Sequence, residues 1–264
     1  MAQEPEARGF REHHVALLTR TEGIVLKSAV YGEADLIVTY LTRDCGLIKV
    51  FAKSPRKIKS RFGSSLEPLT YSRISFIGKE DAGLPRLTQS DIITPFQAIR
   101  EDYACFIRLA EILELMINFL PEKELNVDMF MLLLNMLLKL QPGTRNDLHF
   151  LFCKIRFLQL AGYLPKLDVC GQCGAKPAKN GANRFFASQG TLMCPSCRKD
   201  CTGAVSVSGS SLKFYESLAQ WRFETIDRVK APESLISEIT ALMDSHLRYI
   251  LARPLKSDAF AGID

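Results

Sequence analysis

Two pairs of cysteines are the residues whose types and spacing could most clearly do chemistry. The segment CGQCGAKPAKNGANRFFASQGTLMCPSC holds Cys170 and Cys173 in its first pair and Cys194 and Cys197 in its second. Two residues between the members of a pair allow a tight turn that directs both thiolates at one ion. Twenty residues separate the pairs, and this spacing is typical of structural zinc sites. The pattern therefore predicts a structural Zn²⁺ site with these four ligands.

Other interpretations of the cysteines fit less well. A redox pair opens a helix after a strand, whereas both pairs here lie among Gly, Pro, Asn and Ser. A catalytic zinc ion keeps one coordination position open, and four thiolates would close the site. Cys201 offers a fifth sulfur that could replace Cys197, and the sequence leaves this alternative open. The remaining cysteines lie in apolar surroundings and are expected to be buried packing residues.

A basic stretch, KVFAKSPRKIKSRFG, is the second candidate site. Such a cluster favours phosphate backbones through counterion release, and the binding tolerates any base sequence. Phe51 and Phe62 alternate with the cations, and an exposed aromatic ring there could stack on a base. The other interpretation is a solvated loop that protects an edge strand from aggregation. We predict a continuous basic surface for nucleic acid, with these contacts: Lys27, Arg43, Lys49, Lys53, Arg56, Lys57, Lys59, Arg61 and Arg73.

Charge and composition agree with a polyanion partner. The chain has 264 residues and a net charge of +5, and its positive charge is concentrated in residues 1–100 and 163–203. This asymmetry fits nucleic acid or an anionic membrane surface. No apolar run reaches the roughly 20 residues that cross a bilayer, and the N-terminus lacks the apolar core of a signal peptide. We therefore expect a cytoplasmic, nucleoid-associated protein, in which clustered thiols favour metal over disulfides.

The periodicity of the chain predicts a multi-domain α+β protein. Five short β-branched runs within residues 19–100 favour a five-stranded OB-type β-barrel, because closure removes exposed sheet edges. Helical spacing dominates residues 101–166 and resumes in 204–257, so the cysteine module at 167–203 interrupts a helical domain. Residues 1–18 are expected to form a flexible leader and residues 258–264 a flexible tail.

Signals for a third site and for catalysis are weaker. Phe214, Leu218 and Trp221 share one predicted helical face, which favours core packing or, less strongly, a groove for the apolar tail of a partner. No Gly-rich phosphate loop, G-x-S-x-G elbow or H-E-x-x-H motif occurs. We therefore expect no catalytic residues and no enzymatic activity.

The chain resembles the RecO family of bacterial recombination mediators. The resemblance extends from about Thr21 to Ser257, over TEGIVLKSAVYGEADLIVTYLTRDCGLIKVFAK, LEPLT, LAGYLPKLDVCGQCG, FFASQGTLMCPSC and LRYILARPLKS. The junction GYLPKLDVCGQCG is its most specific part. The resemblance implies an N-terminal OB-fold, a helical domain and an inserted zinc module.

The resemblance also implies a function that composition alone does not give. Members of the family bind single- and double-stranded DNA, anneal complementary strands and, with RecR, help to load the RecA recombinase onto DNA coated by single-stranded-DNA-binding protein. The tail of that coating protein docks on the helical domain in such proteins. Two alternatives stay open on the sequence: an RNA-binding module, and a scaffold that binds only proteins and uses the basic loop for solubility.

Overall fold

The structure is a computed structural model. It describes residues 17–56, 60–78, 83–140, 142–143, 146–178, 183–197 and 203–251. An N-terminal sheet of five strands is followed by helices, and a second sheet interrupts those helices. The prediction of this α+β order is confirmed.

Five strands form the N-terminal sheet, and four of its five pairings are antiparallel. They are β1 (Leu17–Tyr31), β2 (Asp35–Thr42), β3 (Gly46–Ala52), β4 (Tyr71–Gly78) and β5 (Arg86–Thr94). Each is hydrogen-bonded to two neighbours in the order β1-β2-β3-β5-β4, and β4 returns to β1, so the sheet closes into a barrel. The join between β3 and β5 is one parallel pair, Phe51 with Arg86. A small barrel with one weak seam fits the predicted OB-type fold.

The barrel interior is a separate hydrophobic core. Alternate residues of β2 and β3, including Val38, Tyr40, Ile48 and Val50, are fully or almost fully buried there. Phe62 also lies inside, with only 3% of its surface exposed. The expectation that Phe62 could stack on a base is therefore wrong, because this ring fills the barrel.

After the barrel, the described part of the chain forms seven helices. They are α1 (Gln97–Glu101), α2 (Tyr103–Phe119), α3 (Val127–Lys139), α4 (Asp147–Leu160), α5 (Gly209–Gln220), α6 (Phe223–Ile226) and α7 (Glu233–Leu251). Side chains of Asp102, Asn126 and Ser208 cap α2, α3 and α5 by accepting hydrogen bonds from backbone N–H groups of the first turn. None of the helices that the structure describes is both long and apolar enough to span a bilayer.

Helix α3 differs from its prediction. Its sequence is apolar nearly all round, which predicts burial on every side. One side is indeed buried, but Val127, Met131 and Leu138 are 38–59% exposed. The reason is that α3 packs mainly on α4, so its opposite side faces solvent.

The second sheet lies between α4 and α5 in the chain. Its strands are β6 (Lys166–Cys170), β7 (Asn183–Phe186), β8 (Thr191–Met193) and β9 (Val205–Val207), in the order β6-β8-β7-β9. Leu167, Phe185, Leu192 and Val207 are buried in the same hydrophobic core as the helices. The short sheet is thus fixed to the helical domain through one apolar face.

The barrel also packs against the helices through its outer surface. Ile24 of β1, Leu41 of β2 and Leu47 of β3 belong to the helical core rather than to the barrel interior. The backbone N–H of Lys123 donates to the carbonyl oxygen of Leu47 at 2.8 Å, so the segment after α2 is bound to β3. A β-carbon on Gly46 would lie 2.0 Å from the carbonyl oxygen of Glu124. This contact requires glycine.

We expect Gly46→Ala to destabilise the joint between barrel and helices. Gly46 has a φ of +67°, and the added methyl group would overlap backbone that has no rotamer to move away. Gly32→Ala is the matched control, because Gly32 has a φ of +64° and nothing within 4 Å. The control should lose about 1 kcal/mol from its free energy of unfolding, and Gly46→Ala a further 1–3 kcal/mol or so. Denaturant unfolding measures both, and equal losses would contradict the close contact.

Candidate metal centre and nucleic-acid surface

The four predicted cysteine ligands lie at two adjacent turns of the second sheet. Cys170 ends β6, and Cys173 lies in the turn that follows it. Cys194 directly follows β8, and Cys197 lies in the next turn. Since β6 and β8 are paired in parallel, both turns leave the sheet at the same edge. The structure therefore brings the two pairs together.

The four sulfurs can hold one metal ion. Their ligand atoms all lie within 4.8 Å of one another, and the Cys173 and Cys194 sulfurs are 3.7 Å apart. Four Zn–S bonds of about 2.3 Å in a tetrahedron would separate the sulfurs by about 3.8 Å. Both the spacing and the soft thiolate donors fit zinc.

Backbone hydrogen bonds favour the thiolate form of Cys170, which is the form that binds a metal ion. Hydrogen bonds from the backbone of Cys173 and Cys194 lower the pKa of the Cys170 thiol to about 6. The N–H of Cys194 donates to the Cys170 sulfur at 3.3 Å. Conversely, hydrogen bonds with the sulfurs of Cys173 and Cys194 raise the pKa of Cys197 to about 12. Without a metal, the hydrogen-bonded thiols share protons, and metal binding must displace them.

His246 packs on the second sheet but does not belong to the cysteine cluster. His246 of α7 makes a 2.8 Å hydrogen bond through Nε2 with the carbonyl oxygen of Tyr163, and its ring packs against Phe185 at 5.7 Å. Burial lowers the pKa of His246. This histidine thus joins the second sheet to α7. Cys201, the alternative ligand, lies outside the described residues.

The outer face of β1, β2 and β3 carries several of the predicted nucleic-acid contacts. Lys27, Thr39 and Lys49 form one cross-strand row, and Ala29, Ile37 and Phe51 form the next. Lys27 and Lys49 are exposed, and Lys49 makes a salt bridge with Glu122. An exposed pair of this kind contributes less than about 1 kcal/mol to stability, so phosphate can compete for the lysine.

The loop after β3 extends this face. Lys53 and Arg56 are exposed. The Arg56 guanidinium donates to the carbonyl oxygen of Glu33 at 3.1 Å, so the loop is bound to the turn between β1 and β2. The backbone N–H of Ser54 donates to the Asp35 carboxylate at 2.6 Å. These contacts hold both cations beside the end of β1.

Two predicted contacts, Lys57 and Lys59, lie outside the described residues. Arg61 is exposed, and its guanidinium lies 4.9 Å from the centre of the Phe62 ring.

Arg43 and Arg73 lie elsewhere on the barrel. Both face Glu22, whose carboxylate oxygens are 3.8 Å from Arg43 and 3.5 Å from Arg73. Burial, together with the hydrogen bond to Glu22, raises the pKa of the nearby Tyr71 to about 12. The positive charge of this cluster is therefore partly compensated.

The expected continuous basic surface is not present among the described residues. Arg43 follows the last residue of β2, whereas Lys53 and Arg56 lie beside its first residue. The length of this strand separates the two groups by about 24 Å. Leu41 and Leu47, covered by the helical domain, lie on the outer face between them. Among the described residues, Lys27, Lys49, Lys53 and Arg56 thus lie on one side of this covered region, and Arg43 and Arg73 lie on the other.

The predicted partner-binding residues lie on and after α5. Phe214 and Trp221 are half-buried, with ring centres 5.9 Å apart. Leu218 has no exposed surface and belongs to the hydrophobic core, so packing rather than a partner accounts for it.

Sequence reasoning missed two residues beside the loop cations. Arg86 begins β5 and pairs with Phe51, which places this exposed cation next to the outer face. Tyr31, the last residue of β1, packs its ring against Phe51. Arg86 could not be assigned because the pairing of β3 with β5 joins distant segments. The alternation of Lys27, Ala29 and Tyr31 was a usable signal for Tyr31.

Comparisons with known proteins agree over nearly the whole chain. Residues 16–96 match the family described as "Recombination protein O N terminal", and residues 100–259 match "Recombination protein O C terminal". The chain is 46% identical to the DNA repair protein RecO of Thermodesulfovibrio yellowstonii, over 88% of this chain and 92% of that protein. It is 33% identical to the DNA repair protein RecO of Dehalococcoides mccartyi strain CBDB1, over 90% and 92% of the two chains.

Proposed function

The chain belongs to the RecO family of DNA repair proteins, and on this premise we propose that it is a non-enzymatic recombination mediator. It binds single- and double-stranded DNA, anneals complementary strands and, with RecR, helps to load RecA onto DNA coated by single-stranded-DNA-binding protein. It acts in the cytoplasm at the nucleoid. The observation that best supports DNA binding is the outer face of β1–β3, where Lys27, Lys49 and Lys53 point away from the barrel core.

Annealing requires two negatively charged strands to approach each other with their bases free. Cations that contact phosphates lower this repulsion without reading base identity. The patch formed by Arg43 and Arg73 is separate from the patch at Lys53 and Arg56. Each patch can contact the phosphates of one strand, the patch at Arg43 and Arg73 more weakly because Glu22 partly compensates its charge.

We also propose that the bound metal is zinc and that its role is structural. Cys170, Cys173, Cys194 and Cys197 would complete its coordination, which leaves no position for a substrate. When bound, the ion would cross-link the two turns that follow β6 and β8 in the second sheet. Phe214 and Trp221 remain the candidate contacts for the tail of the single-stranded-DNA-binding protein.

A salt titration of DNA binding tests the proposal. We expect Lys53→Ala with Arg56→Ala to weaken binding to an oligo-dT strand and to reduce the slope of log affinity against log salt by about 1.4, at roughly 0.7 per lost phosphate contact. Lys213→Ala with Arg228→Ala is the charge-matched control, since both residues are exposed in the helical domain. Fluorescence anisotropy of a labelled strand measures both pairs.

The outcomes separate the proposal from its alternatives. A wild-type protein without salt-dependent DNA binding would favour the protein-only scaffold. Tighter binding to an RNA strand of equal length would favour the RNA-binding module. Annealing of complementary strands, with and without the coating protein and RecR, tests the mediator activity itself.

A further inference from the structure

Tyr31 and Phe51 form an exposed aromatic pair on the outer face of the barrel. The ring centres are 6.0 Å apart and the rings are nearly perpendicular, at 88°. Tyr31 is 56% exposed, whereas Phe51 is half-buried. Neither ring belongs to the barrel core or to the helical core. Packing within the protein therefore does not account for the exposed face of Tyr31.

Cations surround this pair. Lys53 follows β3 on the same outward side as Phe51, and Arg86 is the β5 partner of Phe51. Arg56 is held at the turn that directly follows Tyr31, through its bond to the carbonyl oxygen of Glu33. Three exposed cations thus lie around the aromatic pair, with Arg86 beside Phe51 and with Lys53 and Arg56 towards Tyr31.

Two acidic residues also lie near the ring. The Asp35 carboxylate accepts the Ser54 N–H and is half-buried, so it is committed to shaping the loop. Glu33 is exposed, and its carboxylate can turn away from an approaching phosphate. The surroundings of the aromatic pair, with Arg86 beside Phe51 included, therefore retain an excess of positive charge, which suits a polyanion rather than a neutral apolar partner.

We propose that Tyr31, supported by Phe51, is a stacking site for one unpaired base of a single-stranded polynucleotide whose phosphates contact Lys53, Arg56 and Arg86. The proposal rests on the proposed function and adds the residue that distinguishes single strands from duplex. Base-on-ring stacking tolerates any sequence, because every base has a π face. A base inside a duplex is already stacked on its neighbours and does not reach the ring.

Replacement of Tyr31 by alanine tests the stacking site. We expect Tyr31→Ala to weaken binding of an oligo-dT strand by about 5- to 100-fold. Duplex binding should be unchanged, because it depends on phosphate contacts alone. Binding of an abasic single strand should also be unchanged, since it offers the same phosphates without a base. Tyr31→Phe and Tyr31→Trp should retain the affinity of the wild type.

Controls distinguish stacking from loss of structure. Tyr249→Ala removes an equally exposed tyrosine from α7 and should leave all affinities unchanged. Thermal melting of each variant checks that it folds. Equal weakening for oligo-dT, duplex and the abasic strand would overturn the stacking site, and so would unchanged oligo-dT binding in Tyr31→Ala. A wild-type protein that binds no polynucleotide at all would overturn the proposed function together with this inference.

Discussion

Replacing Cys170 with serine is expected to release the metal ion and to loosen the second sheet at its cysteine edge, while the barrel remains folded. Cys170 is 3% exposed and joins β6 to the cysteine cluster. Serine offers a neutral hydroxyl group in place of a thiolate, so a bound ion would lose one of its four bonds. The remaining three ligands would hold an ion much more weakly, because water would occupy the fourth position.

The size of this effect follows from how little else stabilises the sheet. Strands β7, β8 and β9 have four, three and three residues, so few backbone hydrogen bonds hold the cysteine edge of the sheet. Structural zinc contributes roughly 10–16 kcal/mol of binding free energy in small zinc-finger peptides. Here the buried side chains of Phe185, Leu192 and Val207 contribute as well, because they pack against the helices. The sheet should therefore loosen at its cysteine edge first.

Metal analysis and hydrogen exchange measure this result. We expect the purified wild type to contain zinc in stoichiometric amount and the Cys170→Ser variant to contain none. Amide exchange should accelerate in β6–β9 and stay slow in β2 and β3. Cys45→Ser is the control, because Cys45 is half-buried beside the barrel and outside the cluster. A metal-free wild type as stable as the metal-bound form would contradict the structural role.

The cysteine cluster was predictable because its signal is local. The two residues between the cysteines of each pair set the geometry of each turn. The parallel pairing of β6 with β8 is then enough to bring the two turns together. The order of strands and helices was predictable for the same reason, since the period of apolar residues changes near Tyr103. The position of Arg86 beside Phe51 was not, because it depends on the pairing of β3 with β5, which are distant in sequence.

Among the described residues, the predicted basic surface is interrupted for a physical reason that the sequence partly records. Ile24, Leu41 and Leu47 are apolar residues on the outer face of the barrel, where a solvated surface would favour polar side chains. Apolar residues on both faces of a strand indicate that something covers each face. The helical domain covers this one, and it thereby divides the cations into two patches. Charge counts along the chain contain no information about such a division.

The cysteine module also divides the helical domain in sequence, and one buried lysine connects the parts. The Lys154 ammonium of α4 lies 2.6 Å from the Glu111 carboxylate of α2 and 2.8 Å from Asp244 of α7. Only 8% of the lysine side chain is exposed. Burial alone would lower the pKa of Lys154, but the two carboxylates outweigh it and raise the pKa. The lysine is therefore charged, and it joins helices that lie before and after the second sheet in the sequence.

Lys154→Met is expected to lower the free energy of unfolding by about 3–5 kcal/mol, because it leaves two carboxylates near each other without their shared cation. Lys139→Met is the matched control. Lys139 pairs with Asp227 but is 43% exposed, so its loss should cost less than about 1 kcal/mol. Adding Glu111→Gln to Lys154→Met should restore part of the stability by removing one of the two charges. Denaturant unfolding of the helical domain measures all three variants.

The pH dependence of the Lys154→Met effect gives an independent check. A pKa that is higher in the folded state than in the unfolded state means that the folded protein holds the proton more tightly. The contribution of Lys154 is then complete below the ordinary lysine pKa of 10.5 and declines only as the pH rises through the folded value. The difference between wild type and Lys154→Met should therefore stay constant from about pH 6 to pH 9. A difference that disappears within this range would mean that the lysine is neutral in the folded protein, and the connection across the second sheet would then need another explanation.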